Sequence, residues 1–209
     1  MGKDLSHIVR YLDNNVYEEA LKRIEIIHNL HDKMWVSFSG GKDSLVMLKL
    51  VEEYFDKEGI TEKINVVFRD EELIPNNVIK FVQDMRDNPK YNLLYYCLQL
   101  ESEKYILGKK HKYIQWDKNR KHLRKMPEYA IHNKDYVFTQ YNADKYVLNG
   151  EKGRNAILLG IRADESLVRL KGCLNMKYPF MGGKDADIKN KYMCRPIYDW
   201  TEKDVFKYL

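Results

Sequence analysis

Ser39-Gly40-Gly41-Lys42-Asp43-Ser44 is the stretch of this sequence whose residue types could act together on a ligand. Two glycines let main-chain N–H groups turn toward an anion. A helix starting there adds partial positive charge at its N-terminus, and Lys42 supplies a full charge. Ser39 and Ser44 offer hydroxyl donors. The chemistry this predicts is capture of a phosphate chain. A Walker A loop would need Gly where Val36 stands and Ser or Thr where Asp43 stands, so two positions exclude it. The dinucleotide fingerprint fails as well, for want of a third Gly at the required offset. The competing reading is a Gly-Gly turn that only joins two elements.

A second constellation, Gly160-Ile161-Arg162-Ala163-Asp164-Glu165-Ser166, has Arg169 a short step beyond it. The planar fork of Arg162 suits a transferring phosphate or sulfate, and Arg169 could assist from the next helical turn. Asp164 and Glu165 would orient those arginines or help bind Mg²⁺, which takes oxygen ligands. A surface cluster of exposed ion pairs is the alternative.

The flanking patterns supply elements to position both groups. Met34–Phe38 reads as a strand running into the glycines, and Leu45–Phe55 as a buried helix leaving them, with Leu48, Val51 and Phe55 on one face. Val16–Leu30 has the spacing of an amphipathic helix through Val16, Ala20, Ile24 and Ile27. Lys63–Phe68, Leu93–Leu98 and Asn155–Leu159 read as further strands. Pro75 opens a helix carrying Val78, Phe81, Val82 and Met85 on one face. A short strand over Tyr192–Ile197 and a helix opened by Thr201-Glu202-Lys203-Asp204 close the chain. Near-continuous apolar strands alternating with helices predict a three-layer α/β fold with a doubly wound, mostly parallel sheet. In such a sheet both constellations would flank the crevice where strand order reverses.

The loop Ser39–Ser44 resembles the signature of the PP-loop ATP pyrophosphatase superfamily, and the chain from about residue 20 to 209 resembles its phosphoadenosine phosphosulfate (PAPS) reductase branch. Gly160-x-Arg162-x-x-Glu165-Ser166 is similar to an element of that branch. The resemblance implies an adenine nucleotide α-hydrolase-like fold binding ATP or PAPS, and cleavage of ATP between its α- and β-phosphates to adenylate an acceptor for sulfur transfer to nucleic acid; a PAPS-binding reductase-like protein and a non-catalytic, nucleotide-dependent regulatory or nucleic-acid-binding partner are the alternatives. Lys42, Asp43 and Arg162 would be catalytic. The nucleotide would lie on Ser39, Gly40, Gly41, Lys42, Asp43, Ser44, Gly160, Arg162 and Arg169. Asp70, at the second strand's end, would lie near ribose or adenine, an exposed acidic turn being its other reading. Asp43, Asp164 and Glu165 are the expected Mg²⁺ residues.

Residues 1–209 are expected to form a single domain with an insertion at about 101–150, longer than an ordinary connection. Between Lys104 and Lys125 it concentrates Lys109, Lys110, Lys112, Lys118, Arg120, Lys121 and Arg124 among Tyr105, Tyr113 and Trp116, much of the chain's +5 excess. Cations mixed with rings suit nucleic acid, and suit a phosphosulfate or a protein partner equally. A solvated charged face with Trp116 tucked into the core is the bland reading. Cys97, Cys173 and Cys194 are odd in number and widely spaced, against a disulfide framework or a zinc site. Relatives that reduce PAPS use a cysteine in a C-terminal tail, and some sulfur-handling relatives hold an iron–sulfur cluster on four. Three cysteines predict no cluster here. The final helix stops at Leu209, which predicts that longer relatives continue. No apolar run nears the roughly 20 residues of a membrane helix, and Met1–Asp4 opens no secretory signal. A cytoplasmic protein without a membrane partner is expected.

Overall fold

The computed structural model describes residues 13–133, 135–174, 179–181 and 190–209, the side chains of residues 104–106 excepted. Met1–Asp4 and the side chains of Lys104 and Tyr105 thus lie outside the described residues. In chain order the elements are α1 (Val16–Leu30), β1 (Lys33–Phe38), α2 (Lys42–Glu58), β2 (Ile64–Arg69), α3 (Asn76–Asp87), β3 (Tyr91–Cys97), β4 (Leu100–Ile106), β5 (Lys109–Gln115), β6 (Ile131–His132), α4 (Gln140–Tyr146), β7 (Asn155–Leu159), α5 (Leu167–Leu174), β8 (Lys191–Cys194) and α6 (Glu202–Tyr208).

The six-stranded sheet runs β6-β3-β2-β1-β7-β8, and each neighbouring pair is parallel. Both faces are covered because successive strand residues point to opposite sides. Met34, Val36 and Phe38 of β1 join Val66, Phe68, Ala156 and Leu158 in one core cluster, which also takes in Ile24 and Ile27 of α1, Met47 and Leu50 of α2, and Val82 of α3. Trp35, between them, turns the other way and packs with Val67, Tyr96, Ile157 and Ala143 of α4. Each such fully buried side chain contributes about 1.5–3 kcal/mol. The chain winds outward from β1 through β2 to β3, then returns to lay β7 on the other side of β1. That reversal places a crevice at the carboxyl ends of β1 and β7. The α/β doubly wound fold read from the sequence is therefore the fold observed.

Three local readings are corrected. The tail strand ends at Cys194 instead of Ile197, because Arg195 N donates to Phe180 O (2.6 Å) and Tyr198 N to Arg195 O (3.1 Å), turning the chain at Pro196. On α3 the buried positions are Ile79, Val82 and Met85. Phe81 is 42% exposed, its ring 5.5 Å from that of Phe38. The insertion is more ordered than its sequence suggests: β4 and β5 form an antiparallel hairpin, and β6 adds an edge strand. The hairpin turns on Leu107 and Gly108, both at positive φ (49° and 76°), a two-residue turn without the Asn-Gly or Asp-Gly pair that usually betrays one. Among the described residues no helix is long and apolar enough to cross a membrane.

Candidate nucleotide site

The loop after β1 is shaped by its glycines. Gly40 sits at φ +81°, and a Cβ there would lie 2.3 Å from Val78 Cγ1, so α3 packs directly on the loop. Gly41 is the N-cap of the 17-residue α2 and gives it no side-chain cap, which leaves first-turn amides for an anion. Ser44 is turned inward: its Oγ donates to Gly41 O (2.9 Å), accepts from Ser39 N (3.2 Å) and lies 3.1 Å from Ser39 Oγ. Ser44 is therefore a staple that fixes the loop's curvature.

Strand β7 pairs with β1 in register, Leu159 opposite Ser37, and delivers the second constellation beside the loop. Gly160 makes the approach possible, since a Cβ on it would stand 2.5 Å from the carbonyl carbon and oxygen of Asp43 and 2.7 Å from Ser44 N. Arg162 is 3% exposed. Its Nε donates to Asp43 Oδ1 (2.8 Å) and its Nη1 to Asp164 Oδ1 (2.5 Å). Lys42 Nζ lies 3.6 Å from Asp43 Oδ2 and 3.3 Å from Glu202 Oε1 of α6, with the Phe206 ring 5.9 Å away. Lys42, Asp43 and Arg162 thus come together, and Arg162 is bound by two aspartates instead of presenting a free fork.

Glu165 Oε2 accepts from Arg162 N (3.1 Å) and pairs with Arg169, whose side chain is 42% exposed at the rim. Each of the three carboxylates expected to hold Mg²⁺ therefore has an arginine or an arginine amide on it. Among the described residues no group of three His, Cys, Asp or Glu side chains could hold a metal ion. These residues, already paired with arginine, do not fit a resident Mg²⁺ cage.

Asp70 is set apart from Lys42 and Arg162 by its partners. It is fully buried, accepts from Tyr95 OH (2.5 Å) and Glu72 N (2.8 Å), and pairs with Arg124. Glu72, 1% exposed, accepts from both Arg120 terminal nitrogens, from Trp116 N (2.8 Å) and from Leu123 N (3.0 Å). Burial pushes the Glu72 carboxyl up, yet Arg120 and the two amides more than offset it and hold the group below its ordinary value. Burial and the Asp70 bond push the Tyr95 phenol up. Sequence reasoning missed Glu72, Arg120 and Arg124 as a unit. The available signal was an acidic run at a strand end and a basic run downstream of it.

Two of the insertion's arginines thus face inward, and Trp116 is buried at 1% exposure with its Nε1 on Asp70 O (2.7 Å). On the hairpin Lys109, Lys110, His111 and Lys112 are exposed, Lys110 paired with Glu103 and Lys112 with Glu101. Cys97, Cys173 and Cys194 are all buried, and burial pushes the Cys97 and Cys173 thiols up, away from thiolate reactivity.

A parallel sheet with this loop at its switch point defines a PP-loop α/β protein. Residues 33–209 match the phosphoadenosine phosphosulfate reductase domain, and the chain belongs to that family. YbdN, an uncharacterized protein of Escherichia coli (strain K12), is 29% identical over 208 residues, covering 92% of this chain and 51% of that protein. The chain thus spans about half the length of that relative. Candida glabrata FMN adenylyltransferase, solved with FAD and inorganic pyrophosphate, superposes at TM-score 0.55 with 16% identity, covering 96% of this chain and 59% of the enzyme. The U34-tRNA thiolase NcsA from Methanococcus maripaludis superposes at 0.50 with 15% identity over 95% of this chain and 65% of its own. At such identities the likeness is one of fold.

Proposed function

We propose that this chain binds ATP with its α- and β-phosphates on Ser39–Ser44 and adenylates an acceptor. The observation that carries the reading is the meeting of the uncapped α2 N-terminus, Lys42 and the Gly160–Arg162 strand end at one crevice. A lone pair on the acceptor attacks the α-phosphorus, a new bond forms there, and the bond to the bridging oxygen breaks. Pyrophosphate leaves with that electron pair, and the acceptor's proton passes to solvent. Lys42 and the α2 amides balance charge on the leaving pyrophosphate. Arg162 acts as a positioning residue, holding Asp43 and Asp164 so that the loop is formed before the ligand arrives. The likeness in fold to an adenylyltransferase solved with pyrophosphate supports this chemistry.

Incubation with α-labelled ATP and Mg²⁺ is expected to release pyrophosphate and yield AMP or an adenylated acceptor. Lys42→Ala should lower the rate by about 10²-fold or more, as removal of a transition-state charge donor does. Sulfite release from PAPS with thioredoxin, without any pyrophosphate from ATP, would replace this reading by a reductase-like one.

We further propose nucleic acid as the acceptor, approached by the hairpin; the thiolase NcsA, named for a tRNA, supports that class. A single-stranded RNA should shift in a gel at low salt, with log affinity falling by roughly 0.7 per contacted phosphate for each decade of salt. Joint Lys109→Ala and Lys110→Ala substitution should make that dependence shallower. No shift at low salt would sink the proposal.

A further inference from the structure

Lys42, Asp43, Arg162, Asp164 and Glu202 close a ring of polar contacts across the mouth of the phosphate loop. From Lys42 Nζ it runs to Asp43 Oδ2 (3.6 Å), and Asp43 Oδ1 takes Arg162 Nε (2.8 Å). Arg162 Nη1 reaches Asp164 Oδ1 (2.5 Å), Asp164 Oδ2 accepts from the backbone N of Glu202 (3.2 Å), and Glu202 Oε1 returns to Lys42 at 3.3 Å. The ring ties together the loop after β1, the end of β7 and the start of α6. Two cations face three carboxylates in it, so it carries one surplus negative charge. An anion-binding loop in that state opposes its own ligand unless a carboxylate withdraws.

The three carboxylates differ in how firmly they are held. Asp43 and Asp164 share a guanidinium whose side chain is 4% exposed, so moving either would take one of two carboxylates from a buried cation that water cannot readily reach. Glu202 is 62% exposed and its carboxylate pairs with Lys42, an exposed contact that water replaces at little cost. The helix that carries it does not depend on that contact. Thr201 N and Oγ1 both bond the Asp204 carboxylate, Val205 is buried, and Tyr208 OH donates to Glu53 (2.6 Å).

We infer that Glu202 is the counter-ion that phosphate displaces from Lys42, so that α6 sets the affinity of the phosphate loop. The inference rests on the phosphate-loop reading above and adds a residue to it. With pyrophosphate bound, the Glu202 carboxylate swings into solvent and Lys42 turns wholly to the phosphates. When pyrophosphate is to leave, the tethered carboxylate competes for Lys42 and shortens the product's stay.

Calorimetric titration with inorganic pyrophosphate into the wild type, Glu202→Gln, Lys42→Ala and the double variant tests this. Glu202→Gln keeps the Thr201–Asp204 cap and is expected to bind roughly 2–5-fold tighter, the range of an exposed ion pair. Lys42→Ala is expected to bind at least about tenfold weaker, a charge-assisted contact being lost. In the Lys42→Ala background the gain from Glu202→Gln should vanish. Unchanged or weaker binding by Glu202→Gln overturns the inference, and so does an equal gain in both backgrounds. Where Lys42→Ala binds too weakly to measure, the single Glu202→Gln result decides. Undiminished binding by Lys42→Ala would instead bring down the phosphate-loop reading itself.

Discussion

Gly160→Ala is expected to weaken pyrophosphate binding and to lower the rate of pyrophosphate release from ATP by about 10²-fold, since a misplacement of about 1 Å in a positioned site has that scale of effect on rate. The added Cβ would stand 2.5 Å from the backbone of Asp43 and 2.7 Å from Ser44 N. Those are main-chain atoms at the head of α2, so no rotamer change can relieve the contact. Either β7 or α2 must move, and the overpacking should cost about 1–3 kcal/mol of stability. The residues displaced are the ones whose amides would meet the proposed phosphates, so binding should suffer along with folding. Gly172→Ala is the matched control: it lies within α5 with nothing inside 4 Å of its would-be Cβ. It should leave binding unchanged and gain up to about 1 kcal/mol from helix propensity. Thermal unfolding and pyrophosphate titration of both variants read the two effects separately. Wild-type affinity in Gly160→Ala would show that the strand end and the loop are not in contact.

Glu72→Ala should be the most destabilising change outside the hydrophobic core. The carboxylate is enclosed and takes four donors, from Arg120, Trp116 and Leu123. Removing one partner of a buried pair costs about 3–5 kcal/mol. The lower end applies here, because the Arg120 side chain is 38% exposed and can turn to water. Glu72→Gln keeps the volume and part of the bonding and should cost about 1–2 kcal/mol. The pH dependence has a definite sign. The folded-state carboxyl lies below its ordinary value of 4.5, so its contribution is complete above pH 4.5 and is lost as pH falls through the folded value. Urea unfolding should therefore show the gap between wild type and Glu72→Gln narrowing below pH 4.5. A gap independent of pH would mean that the charge on Glu72 contributes nothing.

The bonds around Glu72 also show why the basic insertion read ambiguously. Lysines and arginines in a run have the same composition whether they meet solvent, phosphate or carboxylate. Arg120 and Arg124 reach acids 48 and 54 residues away, and only the path of the chain over the end of β2 brings them there. The hairpin was missed for a related reason: Leu107-Gly108 lacks a strong turn signal, and strand pairing supplies what the turn residues do not.

The sequence by itself determined β1, β2, β3 and β7, the helices α1, α2, α3 and α6, and the glycine-bearing loop after β1. Those depend on periodicity, on β-branched and aromatic runs and on glycine placement, all of which act within a few residues. It also placed Lys42 and Arg162 at one crevice, because a doubly wound sheet leaves little choice of where such strand ends meet. What only the tertiary structure decided is how the charges are paired. Arg162 is held between Asp43 and Asp164, Asp70 is sealed under Arg124, and Glu202 from the last helix closes on Lys42. The strength of a charge pair depends on distance and burial, and neither exists until distant segments are packed together.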